Sequence, residues 1–218
     1  MEITWLGHSC FRLRGKEATI IADPYAKGIG YSLGRATADV VTISHAHLNH
    51  ANAAAIGGSP IIIDGPGEYE VKGVAITGIR TYHDAEAGKS HGKNTVYLYE
   101  MEGLVVCHLG DLGHVPTSAQ VEAMSNVDVL LVPAGGGTTI GAAEAAEIIS
   151  LIEPKVVVPM HFRTPALTPA PGATELEPVE KFLRQLSVPS LQAQPKLSAT
   201  AGNLPEEMQV VLLEYRKG

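Results

Sequence analysis

The amino-acid sequence predicts a mixed α/β domain in which sheets are covered by helices, and three observations lead there. Short runs rich in Val, Ile and Tyr, bounded by turn residues, fill the first half of the 218 residues. In the second half such runs alternate with segments of helical periodicity. Hydrophobic residues make up 45% and charged residues 18%, the balance of a folded chain rather than of a disordered one. A chain of this length can bury one sizeable core, and no repeat, low-complexity tract or linker interrupts it, so residues 1–218 are read as one domain.

The strand candidates are residues 3–7, 10–13, 19–22, 40–44, 60–63, 73–82, 95–101 and 104–109, followed by 127–132, 155–160 and 208–215. Gly57-Gly58, Gly65-Pro66-Gly67 and Glu102-Gly103 punctuate them as turns. Residues 141–153 carry Ala, Ile and Leu at helical spacing and end before Pro154. Residues 117–124 are a second helix candidate, and 176–186 a third, with Val179, Phe182, Leu183 and Leu186 on one stripe. A further short helix is expected through 52–56. Three long loops remain, 24–38, 84–94 and 162–174, and long loops in a compact domain usually form functional rims.

The net charge of −7 offers no basic surface, so nucleic acid is not the first partner to expect, although a metal cluster would supply local positive charge. Cys10 and Cys107 both sit in apolar, strand-like runs and read as two free buried thiols of a reducing compartment in preference to a single disulfide. The start Met1-Glu2-Ile3-Thr4-Trp5 has neither a basic nor an apolar leader region, and no apolar stretch reaches the ~18 residues that span a bilayer. These features point to a cytoplasmic globular protein without membrane contact. Oligomeric state leaves no mark in the sequence.

Residues 44–50 read Ser-His-Ala-His-Leu-Asn-His, with His45, His47 and His50 directly after the apolar run at 40–43. Other histidines follow strand candidates in the same way: His83 after 75–82 and His161 after 156–160, while Asp111 stands just past 104–109. Strand ends are held by the sheet yet reach a common edge, which suits metal ligands that need fixed positions and one open coordination place.

His45-x-His47-x-Asn49-His50 resembles the HxHxDH signature of the metallo-β-lactamase superfamily. His83, the Gly110-Asp111 pair and His161 are similar to that family's remaining ligands, in the same order. Trp5-Leu6-Gly7-His8-Ser9 and Asp23-Pro24-Tyr25 resemble the branch that contains ascorbate-6-phosphate lactonase. The resemblance implies an αββα four-layer sandwich, two β-sheets packed together with helices outside and a metal site at one edge. It implies that His45, His47 and His83 form a first metal site, that His50 and His161 serve a second, and that Asp111 bridges them. In a typical member the metals lower the pKa of a shared water, and hydroxide attacks a carbonyl or phosphoryl centre. Zinc is the first expectation, with iron and manganese as alternatives for such ligands, at one or two ions per chain.

Asn49 departs from the pattern. The carboxylate it replaces is a ligand of the second site and orients the water, whereas an amide is neutral and accepts no proton. The expectation is a first site that fills normally and a second that fills weakly, with Asp23 and Asp111 as candidates to take over part of the missing role. Asn49, Asp111 and His8 are the candidate catalytic residues. His8 either lines the site, as the resemblance suggests, or is a hydrogen-bonded core histidine. His83 is preferred over its rival His91 because it follows the strand, while His108 and His114 are not expected to ligate, the latter facing solvent. Trp5 is read as core, and Tyr25, Tyr31 and Tyr69 as core and rim. Gly135-Gly136-Gly137, ahead of a helix, is either an anion cradle or a plain turn. Lys89, Lys93, Arg163 and Arg35 lie in the long loops and would suit an anionic substrate.

Two functions remain open at this level. One is an intracellular metal-dependent hydrolase of a small anionic ester, lactone or phosphodiester. The other is a non-catalytic or regulatory metal-binding member of the same fold, and Asn49 is its motive.

Overall fold

A computed structural model describes residues 1–168 and 174–216. In chain order the strands are β1 (Glu2–Gly7), β2 (Cys10–Arg14), β3 (Thr19–Ala22), β4 (Val40–Thr42), β5 (Ile61–Ile63), β6 (Gly67–Val71), β7 (Val74–Tyr82), β8 (Lys93–Met101) and β9 (Leu104–His108). Then come α1 (Ser118–Ala123), β10 (Val129–Pro133), α2 (Ala142–Ile152), β11 (Val156–Met160), α3 (Val179–Gln185), β12 (Leu197–Ser198) and β13 (Gln209–Val210). One sheet has the order β12-β1-β2-β3-β4-β5 and the other β13-β11-β10-β9-β8-β7-β6. Both are mixed: β3, β4 and β5 are parallel in the first, and β9, β10, β11 and β13 in the second. Two mixed sheets flanked by a few helices are the sandwich that the resemblance implies.

Burial alternates along the strands with the period of two that a pleated sheet imposes. Ile20, Ala22 and Val40 join the main core, which takes residues from both sheets. Ile21 and Val41 point the other way, into a second cluster with Tyr25, Tyr31, Leu33, Ala36 and Ala38. The outer face of the first sheet is thus covered by loop 24–38. Tyr99 and Thr42 join their hydroxyls at 2.6 Å across the sandwich, and the Tyr97 hydroxyl donates to the carbonyls of Ile43 and Ile63. On α2 the buried residues Ala142, Ala145, Ile148, Ile149 and Ile152 form one stripe, and the helix packs on β10 and α3.

Several expected elements change. The run 73–82 is the return strand of a hairpin whose first strand, β6, is polar and largely exposed, so composition hides it. Lys72 and Gly73 both have positive φ, the two-residue turn that matches strand twist. The run 208–215 contributes only Gln209–Val210 to the sheet, because the chain then leaves the edge to place Tyr215 against Trp5 and Tyr31. The helix expected through 52–56 is a single 3-10 turn, Ala53–Ala55. Asn52 gives its N–H to Pro24 and its side-chain amide to Tyr25, and so the coil is held to the neighbouring loop instead of propagating. Among the described residues no helix is long and apolar enough to cross a membrane.

Trp5 is 1% exposed, with the rings of Phe162, Tyr215, Tyr31 and Phe11 between 5.0 and 6.5 Å away. Its indole N–H donates to the carbonyl of His8 at 2.8 Å. Trp5→Ala is expected to cost about 3–5 kcal/mol, the usual range for a buried aromatic truncated in a tight core. Urea denaturation followed by circular dichroism measures it, and a loss under about 1 kcal/mol, the size of an ordinary surface change, would contradict the packing described.

Candidate metal centre

The parallel strands of both sheets run toward one edge, and the candidate residues leave them there. His8 follows β1, Asp23 follows β3, His45 lies just beyond β4, His83 follows β7, Asp111 lies past β9 and His161 follows β11. Three of them, His8, Asp23 and His161, have φ near +50°, a left-handed backbone that costs a non-glycine residue energy and gathers at functional sites. The strain turns the chain sharply at the end of a strand and aims the side chain across the edge. Gly110 has φ +58°, and a Cβ there would meet Asn94 Oδ1 at 2.4 Å and Ser44 Cβ at 2.6 Å. Only glycine therefore lets Asp111 approach.

Asp111 is the centre of the group. Its Oδ2 lies 3.2 Å from Nε2 of His50 and of His161, 3.3 Å from Nε2 of His83 and 3.9 Å from Nε2 of His45. Its Oδ1 accepts from the Ser9 hydroxyl, and its backbone N–H donates to Asn94 Oδ1. Asn94 is in turn fixed by donating to Thr81 and to the Leu109 carbonyl. Burial works against the charge of Asp111, but His161 and His50 outweigh it and hold the carboxyl well below the usual range.

Each of three imidazoles is tied at Nδ1 so that Nε2 faces inward. His50 bonds Asp23 at 2.9 Å, His45 bonds the Ser44 hydroxyl at 2.9 Å, and His83 bonds the Thr138 carbonyl at 3.2 Å. Ser44 passes its own proton, and its backbone N–H, to Asp23. Such partners fix the tautomer and direction of a metal-ligating histidine. Burial, and then the neighbouring His50, lower the pKa of His45 to about 3, so its ring is neutral. Burial also opposes charge on His50, yet Asp111 and Asp23 raise its pKa to about 10. Two buried carboxylates thus draw positive charge into this pocket.

A cation fits these residues. Ring nitrogens of His45, His47 and His83 lie within 4.8 Å of one another, as do those of His8, His50 and His161. Nε2 of His45 and Nδ1 of His8 and His161 are buried without a hydrogen-bond partner, and Nε2 of His50 meets only the Asp111 carboxylate, an arrangement that a cation among these nitrogens would relieve. The structure therefore gathers every residue expected at the site: His45, His47, His50, His83, Asp111 and His161, with Asn49 and His8 beside them.

Some expectations change. Asn49 does not point at Asp111; its side-chain amide meets His8 Nε2 at 2.8 Å. Asp23 is engaged with His50 and Ser44 and supports the cluster from behind. His114 is half-buried, accepting from the Tyr82 N–H and bonding the Val115 carbonyl, rather than simply facing solvent. His108 bonds the Ser9 carbonyl and the Gly110 N–H, a scaffolding role under the site. The Gly135-Gly136-Gly137 run is a turn: a Cβ at Gly135 would strike the His161 carbonyl, and Glu144 already accepts from the Gly141 N–H that caps α2.

A cavity of about 610 Å³ opens over the cluster, lined by His8, His47, His83, His91, Asp111 and His161. Loop 24–38 contributes Lys27 and Ile29, the histidine loop Leu48, and the segment after β11 Leu167 and Leu176. Among the described residues Lys27 is the one lysine or arginine in that lining, while Lys89, Lys93, Arg163 and Arg35 are absent from it. The sequence carried no signal for Lys27 or the apolar wall, because three separate loops build them. Part of the expected rim, 169–173, lies outside the described residues.

Residues 2–161 match the sequence profile of the Beta-lactamase superfamily domain, and the chain belongs to the metallo-β-lactamase superfamily. A UPF0173 protein of Pyrococcus furiosus is 31% identical over 187 residues, 75% of this chain and 84% of its own. A UPF0173 metal-dependent hydrolase of Methanospirillum hungatei is 30% identical over the same shares. A solved structure from Thermotoga maritima, assigned to the Zn-dependent hydrolases of the superfamily, is 42% identical with a TM-score of 0.80 and covers 99% of each chain.

The rim loop 84–94 is organised by Asp84, which accepts from the N–H groups of Glu86, Gly88, Ser90 and His91 at 2.8–2.9 Å. Those bonds, led by that from His91, hold its carboxyl below the ordinary range. In Asp84→Ala these four amides are expected to exchange hydrogen faster while amides of β10 and β11 keep their rates, as native-state exchange would record. Unchanged exchange at all four would show that the loop holds itself without the carboxylate.

Proposed function

We propose that this chain is a metal-dependent hydrolase of an ester, lactone or phosphodiester whose negative charge meets the metal centre and Lys27 and whose remaining bulk is apolar. The observation that carries the reading is the ring of imidazoles around buried Asp111 in a cavity that Lys27 and several leucines also line. The names of the relatives, metal-dependent and Zn-dependent hydrolases, support it.

His45, His47 and His83 would hold one ion, His50 and His161 a second, and Asp111 would stand between them. When bound, a divalent ion of this type lowers the pKa of water to near neutrality and polarises a carbonyl or phosphoryl oxygen. The chain itself supplies position. Asp23, Ser44 and Thr138 keep the imidazoles turned inward, and Ser9 and Asn94 hold Asp111. Ile29, Leu48, Leu167 and Leu176 would exclude water from the bound substrate and strengthen electrostatic contacts inside the cavity. Lys27, exposed at the mouth, would attract and orient an anion. The non-catalytic alternative rests on Asn49 alone, and a decayed position would have no reason to keep the bond that Asn49 makes with His8.

The test uses chromogenic esters and a phosphodiester such as bis(4-nitrophenyl) phosphate, with the metal-loaded protein. Asp111→Ala and His47→Ala are expected to lower kcat/KM by more than the ~100-fold typical of losing a mere supporting partner of a metal site. His47 is exposed, so its replacement should leave stability within about 0.5 kcal/mol. Unchanged turnover in either variant would overturn the proposal.

A further inference from the structure

We infer that His8 completes the second cation site where the family pattern has a carboxylate, and that Asn49 is the residue that aims it. The inference rests on the metal-dependent reading above and deepens it.

The geometry comes first. One ring nitrogen each of His8, His50 and His161 falls within 4.8 Å of the others. A tetrahedral ion with bonds of ~2.1 Å separates its ligands by roughly 3.4 Å, inside that limit. The three residues are 6%, 0% and 4% exposed, His8 Nδ1 is a buried atom with no partner, and Nε2 of His50 and of His161 meet the Asp111 carboxylate at 3.2 Å. A ring that served only to fill the core would bond at both nitrogens, as His108 does.

Asn49 explains how His8 would be ready to ligate. Its side-chain amide sits 2.8 Å from His8 Nε2, and turning the amide over fills the same space with oxygen in place of nitrogen. The amide oxygen then accepts from Nε2–H and leaves the Nδ1 lone pair for a metal. Ser44, Asp23 and the Thr138 carbonyl do the same for His45, His50 and His83, with the two ring nitrogens exchanged. The backbone of His8 is equally fixed: φ is +54°, and its carbonyl accepts from both the Trp5 indole and the His161 N–H. Asp23 is already engaged, its oxygens accepting from His50 and Ser44, which suits it to hold His50 from behind. A second site made of three imidazoles and Asp111 favours zinc or cobalt over manganese, which prefers oxygen donors.

The experiment strips the full-length protein, reloads it with cobalt chloride, and reads ions per chain by elemental mass spectrometry alongside the visible cobalt absorption. The native chain is expected to bind two ions and His8→Ala one. The double variant His8→Ala/Asn49→Asp is expected to regain the second, because the carboxylate of the family pattern then does what His8 did. That rescue also shows that the single variant is folded. Asn49→Leu, with His8, His50 and His161 all present but the aiming bond gone, should weaken the second ion by about 10–100-fold and leave the first unchanged. Two ions bound with native affinity in His8→Ala, or a double variant that fails to regain the second, would overturn the inference while leaving the hydrolase reading intact. A native chain that takes up one ion overturns it as well, and a native chain that takes up none overturns the metal-dependent reading itself.

Discussion

The carboxylate of Asp111 is the constraint on which the site depends. A charge removed from water costs several kcal/mol unless it is paired and hydrogen-bonded. Here the cost is met from two directions, by imidazoles around Oδ2 and by Ser9 and Asn94 around Oδ1 and the backbone. His50, His83 and Asn94 are themselves held from behind, so the position of the carboxylate is transmitted outward to Asp23, Thr138, Thr81, Leu109 and the ends of β7 and β9. Removing any one would leave a buried polar atom unpaired. That is why this corner of the sandwich is rich in polar groups although the strands leading to it are almost wholly apolar.

The sandwich makes such a corner possible. Parallel strands deliver their ends to the same edge, and two sheets facing each other deliver two rows of ends a short distance apart. The first sheet supplies His8, Asp23 and the histidine loop; the second supplies His83, Asp111 and His161. Neither sheet alone holds a complete set. The left-handed residues after β1, β3 and β11 are the local cost of turning side chains across the gap, and the aromatic packing of Trp5 helps to hold the first of these turns in place through the His8 carbonyl.

What was legible in the sequence follows the same division. Local patterns were readable: the strands of the core, α2 with its stripe before Pro154, and histidines or aspartate placed just past a strand. Elements decided by a partner were not. The edge strand β6 is polar and mostly exposed, β12 and β13 are two residues each, and only the neighbouring strand makes them strands. The same holds at the site. His45, His47 and His50 announce themselves by spacing, whereas the bond between Asn49 and His8 joins residues 41 positions apart. Lys27 and the leucines of the cavity wall come from loops whose meeting no composition records.

Asn49 shows why a motif and a site are different things. Read along the chain, it is a lost ligand; read in space, it is half of a pair whose other half carries a nitrogen donor. The exchange is not neutral in charge. An imidazole aimed by an amide leaves the centre one unit more positive than a carboxylate would, with Asp111 as the carboxylate among the ring nitrogens and Asp23 behind His50. Among buried side chains such a difference is screened less than at an exposed surface and acts on charge that develops during reaction, and ester or phosphodiester hydrolysis develops negative charge on oxygen. The substitution that looks like decay in the sequence therefore pushes the electrostatics of the pocket in the direction that the proposed chemistry uses.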